Sequence, residues 1–292
     1  MYIVLYLYIL IKDKPQFLGF NSSQNVMAKG TYISENITHS QQAIMYMLDE
    51  YEIDMFSLSD LKQLVNDPMV DINEIIENLV QKKFISRIER GKYVRANFRD
   101  EKVIGCFLVP DGTIAYWSAL NLHGLTEQFS NTIFIQTTHT KKEKSVFGVR
   151  YQFVKVKDAK RIGIETQGVG NHLYRLTDKE KTIVDCFDQP QYSGGYSELI
   201  RAFSQTDISQ DKLIHYCTAI DNVSVTKRLA FLTELLKKPK MKRFLKYAEG
   251  EVNARNILMD PFGEEKGSFN AKWKLRLNIT QEDLLDICNK HY

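Results

Sequence analysis

Cysteine is scarce in this sequence of 292 residues, and the four cysteines, at positions 106, 186, 217 and 288, lie far apart. No two of them form a CxxC pair, so the common zinc-binding and thiol-exchange motifs are excluded. The sequence also lacks GxSxG, HExxH, a Walker loop and the kinase loops, which are the signatures of many hydrolases and nucleotide-dependent enzymes. We therefore expect reduced, mostly buried thiols in a cytoplasmic protein without a resident cofactor, metal or catalytic residue.

Long hydrophobic runs are absent as well. The longest, residues 1–11, is too short to span a bilayer and lacks the basic start and small-residue cleavage site of a signal peptide. No membrane partner is therefore expected. Because Met27 is a plausible alternative start, we interpret the residues before it as lying upstream of the true start, and we treat residues 1–30 as an N-terminal extension. A stray strand or helix is the alternative.

Neither sign of charge is in large excess. The net charge is +3, and the composition of 43% hydrophobic and 26% charged residues is that of an ordinary soluble protein. Residues 31–97 contain 7 Lys and Arg against 11 Asp and Glu, a net charge of −4, whereas residues 98–292 contain 29 against 24, a net charge of +5. The length allows two domains, but the net charge alone gives no argument for nucleic-acid binding.

Residues 56–93 have the pattern of a helix-turn-helix followed by a two-stranded ribbon that closes at Gly91. Ser57 is a good N-cap for one helix, Pro68 ends that helix, and Asp71 is a good N-cap for the next. A further helix is predicted before them, at residues 40–51. Together these elements predict a winged helix-turn-helix domain over residues 31–97, which would place one helix in the major groove of double-stranded DNA.

The helix that follows Asp71 is the one expected to read bases. Its apolar residues fall at helical spacing and are predicted to be buried: Ile72, Ile75, Ile76 and Leu79. Asn and Gln can bond adenine in a bidentate way, so the candidate base contacts on the opposite face are Asn73, Asn78 and Gln81. Glu74 and Glu77 share this face. Either could accept a hydrogen bond from cytosine, but both weaken non-specific affinity for phosphates.

A basic run follows the reading helix and is interrupted only by Glu89. Its cations are Lys82, Lys83, Arg87, Arg90, Lys92 and Arg95. The run lies where a wing meets the DNA backbone, so we predict DNA contacts there. The alternative is that these charges only solvate an edge hairpin. The inner face of the ribbon is predicted to comprise Phe84, Ile85, Ile88, Tyr93 and Val94.

Residues 98–292 predict a larger mixed α+β domain. Residues 103–109 read as a strand or a buried helix. Thr177 to Glu180 has the spacing of a capping box. His123, at a helix end, is interpreted as a capping or packing residue. Strands are predicted at residues 132–137 and 151–156, and helices at residues 114–125, 197–204, 209–221 and 224–237. Near the C-terminal end, alternating Trp273, Leu275 and Leu277 predict a further strand. A last helix, capped by Thr280, follows it.

Two basic stretches of this domain are possible patches for RNA, DNA or an acidic protein. A solvated loop and an exposed helix end are the alternatives. The candidate residues are Lys141, Lys142 and Lys144 in the first stretch and Lys238, Lys240, Lys242 and Arg243 in the second.

Five stretches in order connect this chain with a known family. They are Arg90-Gly91-Lys92-Tyr93; Tyr116 with Ser118-Ala119-Leu120 and His123-Gly124-Leu125; Lys181-Thr182-Ile183-Val184-Asp185 with Pro190 and Gly194-Gly195; Ser224-Val225 with Lys227-Arg228-Leu229 and Leu232; and Asp260-Pro261, Gly267, Trp273, Leu275 and Asn278. In this order they resemble the AbiEi antitoxins of type IV toxin–antitoxin systems, over residues 40–290.

The resemblance implies a bacterial, cytoplasmic protein of an abortive-infection (phage-defence) system with two roles. Its winged helix would repress its own promoter by binding inverted repeats. Its larger domain would counter a co-encoded nucleotidyltransferase toxin without forming a stable complex with it.

Two other functions stay open on the residues alone. The second domain could sense a ligand for an ordinary winged-helix regulator that has no toxin partner. A metal-dependent nuclease needs an acid followed by Glu-x-Lys. Asp260 with Glu264 and Lys266 supplies these residue types, at a spacing that is too tight for two adjacent strands.

Overall fold

The computed structural model describes residues 36–289, so the expectations for residues 1–30 lie outside the described part. The chain divides into two units, one that ends at Arg99 and one that begins at Asp100. Helices and sheets occur in both units, and the fold is therefore α+β, with the larger unit at the C-terminal side.

The described part of the first unit has the element order of a winged helix-turn-helix. Its antiparallel sheet has the strand order β1-β3-β2, and a tight turn joins β2 and β3 into the wing. The elements are α1 (His39–Glu50), β1 (Met55–Ser57), α2 (Leu58–Val65), α3 (Ile72–Gln81), β2 (Ile85–Glu89) and β3 (Lys92–Arg95).

Local sequence determines where these helices start. Ser57 accepts a hydrogen bond from the backbone of Asp60, whose carboxylate bonds back to complete a capping box. Asp71 caps α3 as predicted. The end of α2 differs from the prediction. The helix stops before Asn66, which takes a left-handed conformation, and so it ends before Pro68 is reached.

One apolar core joins α3 to the sheet and to α1. The four apolar residues predicted for α3 are all buried, as are Ile85, Ile88, Tyr93 and Val94 of the ribbon. Phe84 was wrongly predicted to belong to the inner face, since 36% of it is exposed. It precedes β2, and because successive side chains of an extended chain point to opposite sides, burial of Ile85 turns Phe84 outward.

The second unit combines a six-stranded mixed sheet, a small three-stranded sheet and a group of helices. Residues 103–109, which the sequence pattern leaves open, are largely helical. The elements are α4 (Glu101–Phe107), β4 (Thr113–Ile114), α5 (Tyr116–Leu122), β5 (Thr132–Thr137), β6 (Lys144–Val146), β7 (Val149–Lys155), β8 (Ile164–Gln167), β9 (Tyr174–Thr177), α6 (Lys179–Asp188), α7 (Tyr196–Gln205), α8 (Gln210–Ile220), α9 (Val223–Leu235), α10 (Lys242–Glu251), β10 (Ile257–Leu258), β11 (Ser268–Asn270), β12 (Leu275–Leu277) and α11 (Gln281–Asn289).

The large sheet has the strand order β6-β7-β5-β4-β9-β8. Strands β5 and β7 run parallel, from Thr132 opposite Arg150 to Thr137 opposite Lys155, and β4 is parallel to β9. The other neighbours are antiparallel. The small sheet has the order β10-β12-β11.

The core of the second unit lies among α6 to α11, the large sheet and the small sheet. Trp273 is fully buried in it, together with Leu275 of β12. The capping box predicted at Thr177 was placed one residue too early. Asp178 caps α6 by accepting from the backbone of Lys181, while the Thr177 hydroxyl lies 2.8 Å from that of Thr182.

Buried charged side chains of this unit are paired with polar groups. Lys181, fully buried, forms an ion pair with Asp185 one turn later on α6. Lys227 donates to two backbone carbonyls and to the side chain of Asn253. Such pairing is what makes charge tolerable in a protein interior. The motif residues Lys181, Asp185 and Lys227 are therefore part of the interior of this unit.

Candidate nucleic-acid interface

Helix α3 presents its polar face away from the core of the first unit. Asn73, Glu74, Glu77 and Gln81 are exposed, while Asn78 is half-buried. The apolar residues on the other side of α3 fix this orientation because they are nearly fully buried. Of the three amide residues predicted to contact bases, Asn73 and Gln81 are thus more accessible than Asn78.

An ion pair connects this face with the wing. Arg87 Nη1 on β2 lies 3.5 Å from Glu77 Oε1 on α3, and both side chains are about half exposed. Within residues 36–289, neither side chain makes another ion pair or side-chain hydrogen bond. The wing therefore offsets the charge of one of the two glutamates on the exposed face of α3.

Arg87 stands on a well-packed part of the ribbon. Its cross-strand partner is Tyr93, which is 3% exposed and stacks on Phe56 with ring centroids 5.7 Å apart. Burial raises the pKa of Tyr93, an effect that neighbouring Arg87 opposes and Glu77 reinforces. The ion pair of Arg87 and Glu77 thus lies close to a buried aromatic ring. Packing of this ring restricts the position of the strand that carries Arg87.

Lys82 has a structural contact instead of a free charge. Its ammonium donates to the carbonyl of Asn36 at 2.6 Å and to Oε1 of Gln41 at 2.9 Å. Gln41 also closes the capping box at the start of α1. The contact joins the end of α3 to the start of α1, so Lys82 is less available to DNA than its place in the basic run implies.

Two more cations of the run have acidic partners. Lys92 Nζ lies 3.7 Å from Glu89 across the wing turn, and Arg95 is paired with Asp49 of α1. Both pairs are partly exposed to solvent, and solvent screening keeps such pairs weak, so phosphates can compete for these cations.

Lys83 and Arg90 are the exposed cations of the run that have no acidic partner among the described residues. Within the described residues, neither forms an ion pair or a side-chain hydrogen bond. Arg90 occupies the turn between β2 and β3, beside Gly91 with φ +74°. Lys83 follows the end of α3 with φ +62°. In the described part of the chain, the unpaired positive charge of the run therefore lies at the wing turn and just after the end of α3.

The comparisons with known proteins identify a fold. No family model matches this chain, and no curated protein matches it. Its structure is similar to the crystal structure of the RV2827C protein from Mycobacterium tuberculosis, with a TM-score of 0.60. The similarity covers 88% of this chain and 97% of the other, at 14% sequence identity. At that identity the likeness concerns the fold alone.

The first basic stretch of the second unit is partly used by the fold. Lys141 donates to the carbonyl of Leu108 at 2.9 Å and lies over the ring of Phe153. Lys142 is exposed, and Lys144 is half-buried in β6. Exposed charge is therefore less dense here than the sequence pattern indicates.

The second basic stretch is divided in a similar way. Lys238 donates to the carbonyls of Ser204 and Thr206 and lies 5.0 Å from the centre of the Phe203 ring. Burial lowers its pKa. Arg243 is paired with Asp211 at 2.7 Å. Lys240 and Lys242 are exposed. As a result, Lys238 acts as a cap for the end of α7 and contributes no free charge to a patch.

Other polar sites have visible structural roles. Asp111 accepts hydrogen bonds from Thr137 and Thr138 and contacts Arg161 at 3.5 Å. Burial by itself raises its pKa, but these hydrogen bonds hold the pKa of the carboxyl well below its usual range. His123 lies 2.7 Å from the carbonyl of Thr177, in line with the predicted packing role.

The residues of the nuclease alternative lie in a turn between β10 and β11. Glu264 pairs with Lys266 at 2.8 Å, and both side chains are largely exposed. Asp260 accepts from the backbone of Phe262 at 2.9 Å.

In the described residues, His, Cys, Asp and Glu form no cluster of three that could hold a metal ion. None of the helices in this part of the chain has the length and apolar character needed to cross a membrane.

Sequence reasoning did not find the partners of the basic residues. Glu77, Gln41 and Asp49 are ordinary polar helix residues in the sequence, and their cationic partners lie on other elements. The only signal was the winged-helix pattern itself, which brings the ribbon beside α3 and the end of α3 beside α1.

Proposed function

We propose that this chain is a cytoplasmic transcriptional regulator that binds double-stranded DNA at inverted repeats in the promoter of its own operon. The winged-helix arrangement carries the proposal. Helix α3 leaves a polar stripe exposed, and the wing places Arg90 at its turn. A polar helix face flanked by a ribbon with an exposed arginine at its turn suits base reading by the helix and backbone contact by the wing.

The charges predict modest, salt-sensitive affinity. Among the residues that the structure describes, Lys83 and Arg90 are the exposed cations of the run without an ion pair or side-chain hydrogen bond, and Arg87 shares its charge with Glu77. Each neutralised phosphate changes the slope of log K against log salt by about −0.9. Two or three such contacts per copy give a shallow slope, which binding of two copies to an inverted repeat would double.

We further propose that the second unit is an antitoxin that counters a co-encoded nucleotidyltransferase toxin without a stable complex, as part of a bacterial phage-defence system. The support is the resemblance to the AbiEi antitoxins, together with where its residues lie. Lys181, Lys227 and Trp273 are nearly or fully buried. The shared motifs are therefore residues that specify a fold, which makes the resemblance relevant to the whole unit.

DNA binding is tested by gel retardation with the DNA upstream of the gene. The full-length protein should retard this fragment and bind a fragment of equal length from inside the gene much more weakly. Raising the salt concentration should weaken binding to both fragments. Equal binding to both would contradict a specific operator, and absence of retardation would contradict DNA binding itself.

Antitoxicity is tested by co-expression with the neighbouring gene and scored by growth. We expect the full chain to restore growth, and a chain that starts at Asp100 to restore it as well once circular dichroism shows that it is folded. Failure of the folded shorter chain would contradict an antitoxin in the second unit. Promoter binding without protection would instead favour a ligand-sensing regulator.

A further inference from the structure

The pairing of Glu77 with Arg87 raises the question of what a carboxylate does on a DNA-reading face. Glu77 lies in the middle of α3, and half of its side chain is exposed. Helix stability does not explain why a glutamate occupies this position, because α3 has neither Lys nor Arg for an i,i+4 pair. An exposed ion pair stabilises a fold by less than about 1 kcal/mol, so the contact with Arg87 explains it poorly too.

Glu74 offers an instructive contrast on the same face. It lies in the first turn of α3, three residues after the Asp71 cap. A carboxylate there is stabilised by the positive end of the helix dipole. The helix dipole thus explains why a carboxylate occurs at Glu74, whereas it does not explain Glu77. Each of the two residues adds one negative charge to the face.

The chemistry of a carboxylate selects one base in the major groove. An ionised carboxylate only accepts hydrogen bonds, and cytosine presents only its N4 amino donor there. Adenine presents a donor beside the N7 acceptor, guanine presents two acceptors, and thymine presents an acceptor and a methyl group. A glutamate on the reading face therefore favours cytosine and disfavours guanine and thymine.

Arg87 reduces the electrostatic repulsion that would otherwise oppose base recognition by Glu77. A lone glutamate near the phosphates would be repelled, but the guanidinium 3.5 Å away offsets its charge. The contact engages Oε1, so Oε2 is left without a hydrogen bond among residues 36–289. Arg87 is itself held by β2, opposite the buried Tyr93.

We propose that Glu77, neutralised and held by Arg87, determines specificity by accepting a hydrogen bond from cytosine N4, so that each half-site carries a required C·G pair facing the middle of α3. This inference rests on the proposed DNA binding. Glu77 is the reading residue, and Arg87 positions it and contacts the backbone.

The test is selection from a random double-stranded DNA library with full-length wild-type protein and the variants Glu77→Gln, Glu74→Gln and Arg87→Ala. Wild type should enrich a motif with one strongly preferred cytosine in each half-site. Glu77→Gln should lose that preference by roughly tenfold, or exchange it for adenine, and leave the other positions unchanged. The matched control, Glu74→Gln, removes the same charge and should tighten binding without changing the base preference.

Arg87→Ala should weaken both overall binding and the cytosine preference. The proposal is overturned if Glu77→Gln enriches the same motif as wild type, if Glu74→Gln loses the cytosine as well, or if folded Glu77→Gln loses affinity equally for all sequences. Failure of DNA binding itself has a different signature, since wild type would then enrich no motif at all.

Discussion

The ammonium of Lys82, just after the end of α3, lies 2.9 Å from Oε1 of Gln41 on α1. Gln41 is 4% exposed and closes the cap of α1, so the contact ties two helices of the winged-helix unit together. Its neighbour Lys83 is exposed and unpaired among the described residues. Two adjacent lysines with the same predicted role therefore have different environments.

Replacing these lysines one at a time should separate stability from DNA affinity. Lys82→Ala should destabilise the first unit by about 1 to 2 kcal/mol, because it leaves a buried amide oxygen and a carbonyl without their charged donor. Hydrogen exchange should then speed up in α1 and at the end of α3. Lys83→Ala should leave exchange unchanged and weaken promoter binding. Equal exchange in both variants would contradict the structural role of Lys82.

Arg90 is expected to contribute one phosphate contact from the wing turn. Arg90→Ala should leave the melting temperature unchanged, because the side chain is exposed and unpaired among the described residues. The slope of log K against log salt should become shallower by about 0.9 per bound copy. Titrations of the promoter fragment at several salt concentrations measure this slope. The double variant Arg87→Ala with Arg90→Ala should bind more weakly still, and unchanged retardation would show that the wing assignment is wrong.

Breaking the buried pair of Lys181 and Asp185 should destabilise the second unit strongly. Lys181→Met leaves the Asp185 carboxylate buried without its counter-charge and should cost about 3 to 5 kcal/mol in free energy of unfolding. Replacing both residues, as Lys181→Met with Asp185→Leu, should cost much less. Denaturant unfolding of the two variants measures the difference, and equal losses would contradict the role of the pair.

The Lys181→Met variant should also show a specific pH dependence. Burial already raises the pKa of Asp185 in the folded protein, an effect that Lys181 opposes. Loss of Lys181 raises this pKa further, so the folded state binds more protons than the unfolded state. The free energy of unfolding should therefore be highest at acid pH and fall as the pH rises from the unfolded pKa of Asp towards the raised folded pKa. Denaturant midpoints measured at successive pH values, with wild type as control, test the sign.

Gly194 should tolerate a methyl group less well than Gly124. Both have positive φ, of +80° and +67°, but a Cβ on Gly194 would lie 2.6 Å from the ring of Trp117, whereas Gly124 faces open space. Gly124→Ala should cost about 1 to 2 kcal/mol for the left-handed backbone alone. Gly194→Ala should cost a further 1 to 3 kcal/mol, roughly, for overpacking. Denaturant unfolding followed by tryptophan fluorescence compares them, and equal losses would contradict the Trp117 contact.

Features that depend on neighbouring residues were predictable from the sequence. The starts of α2 and α3 follow from Ser57 and Asp71, whose side chains bond the backbone two or three residues ahead. The buried face of α3 follows from apolar residues at helical spacing. The shift of the α6 cap from Thr177 to Asp178 shows where this reasoning is weakest, since adjacent residues can both serve as caps.

The sequence by itself determined the α+β class, the helix starts and the buried faces of this protein, because hydrogen bonds and periodicity act over a few residues. Only the tertiary structure decided which charges are free. Lys82 and Lys238 are held by carbonyl groups from distant parts of the sequence, and Arg87 on the wing pairs with Glu77 on α3. Such pairs depend on how elements pack in space, and one sequence carries no periodic signal for them.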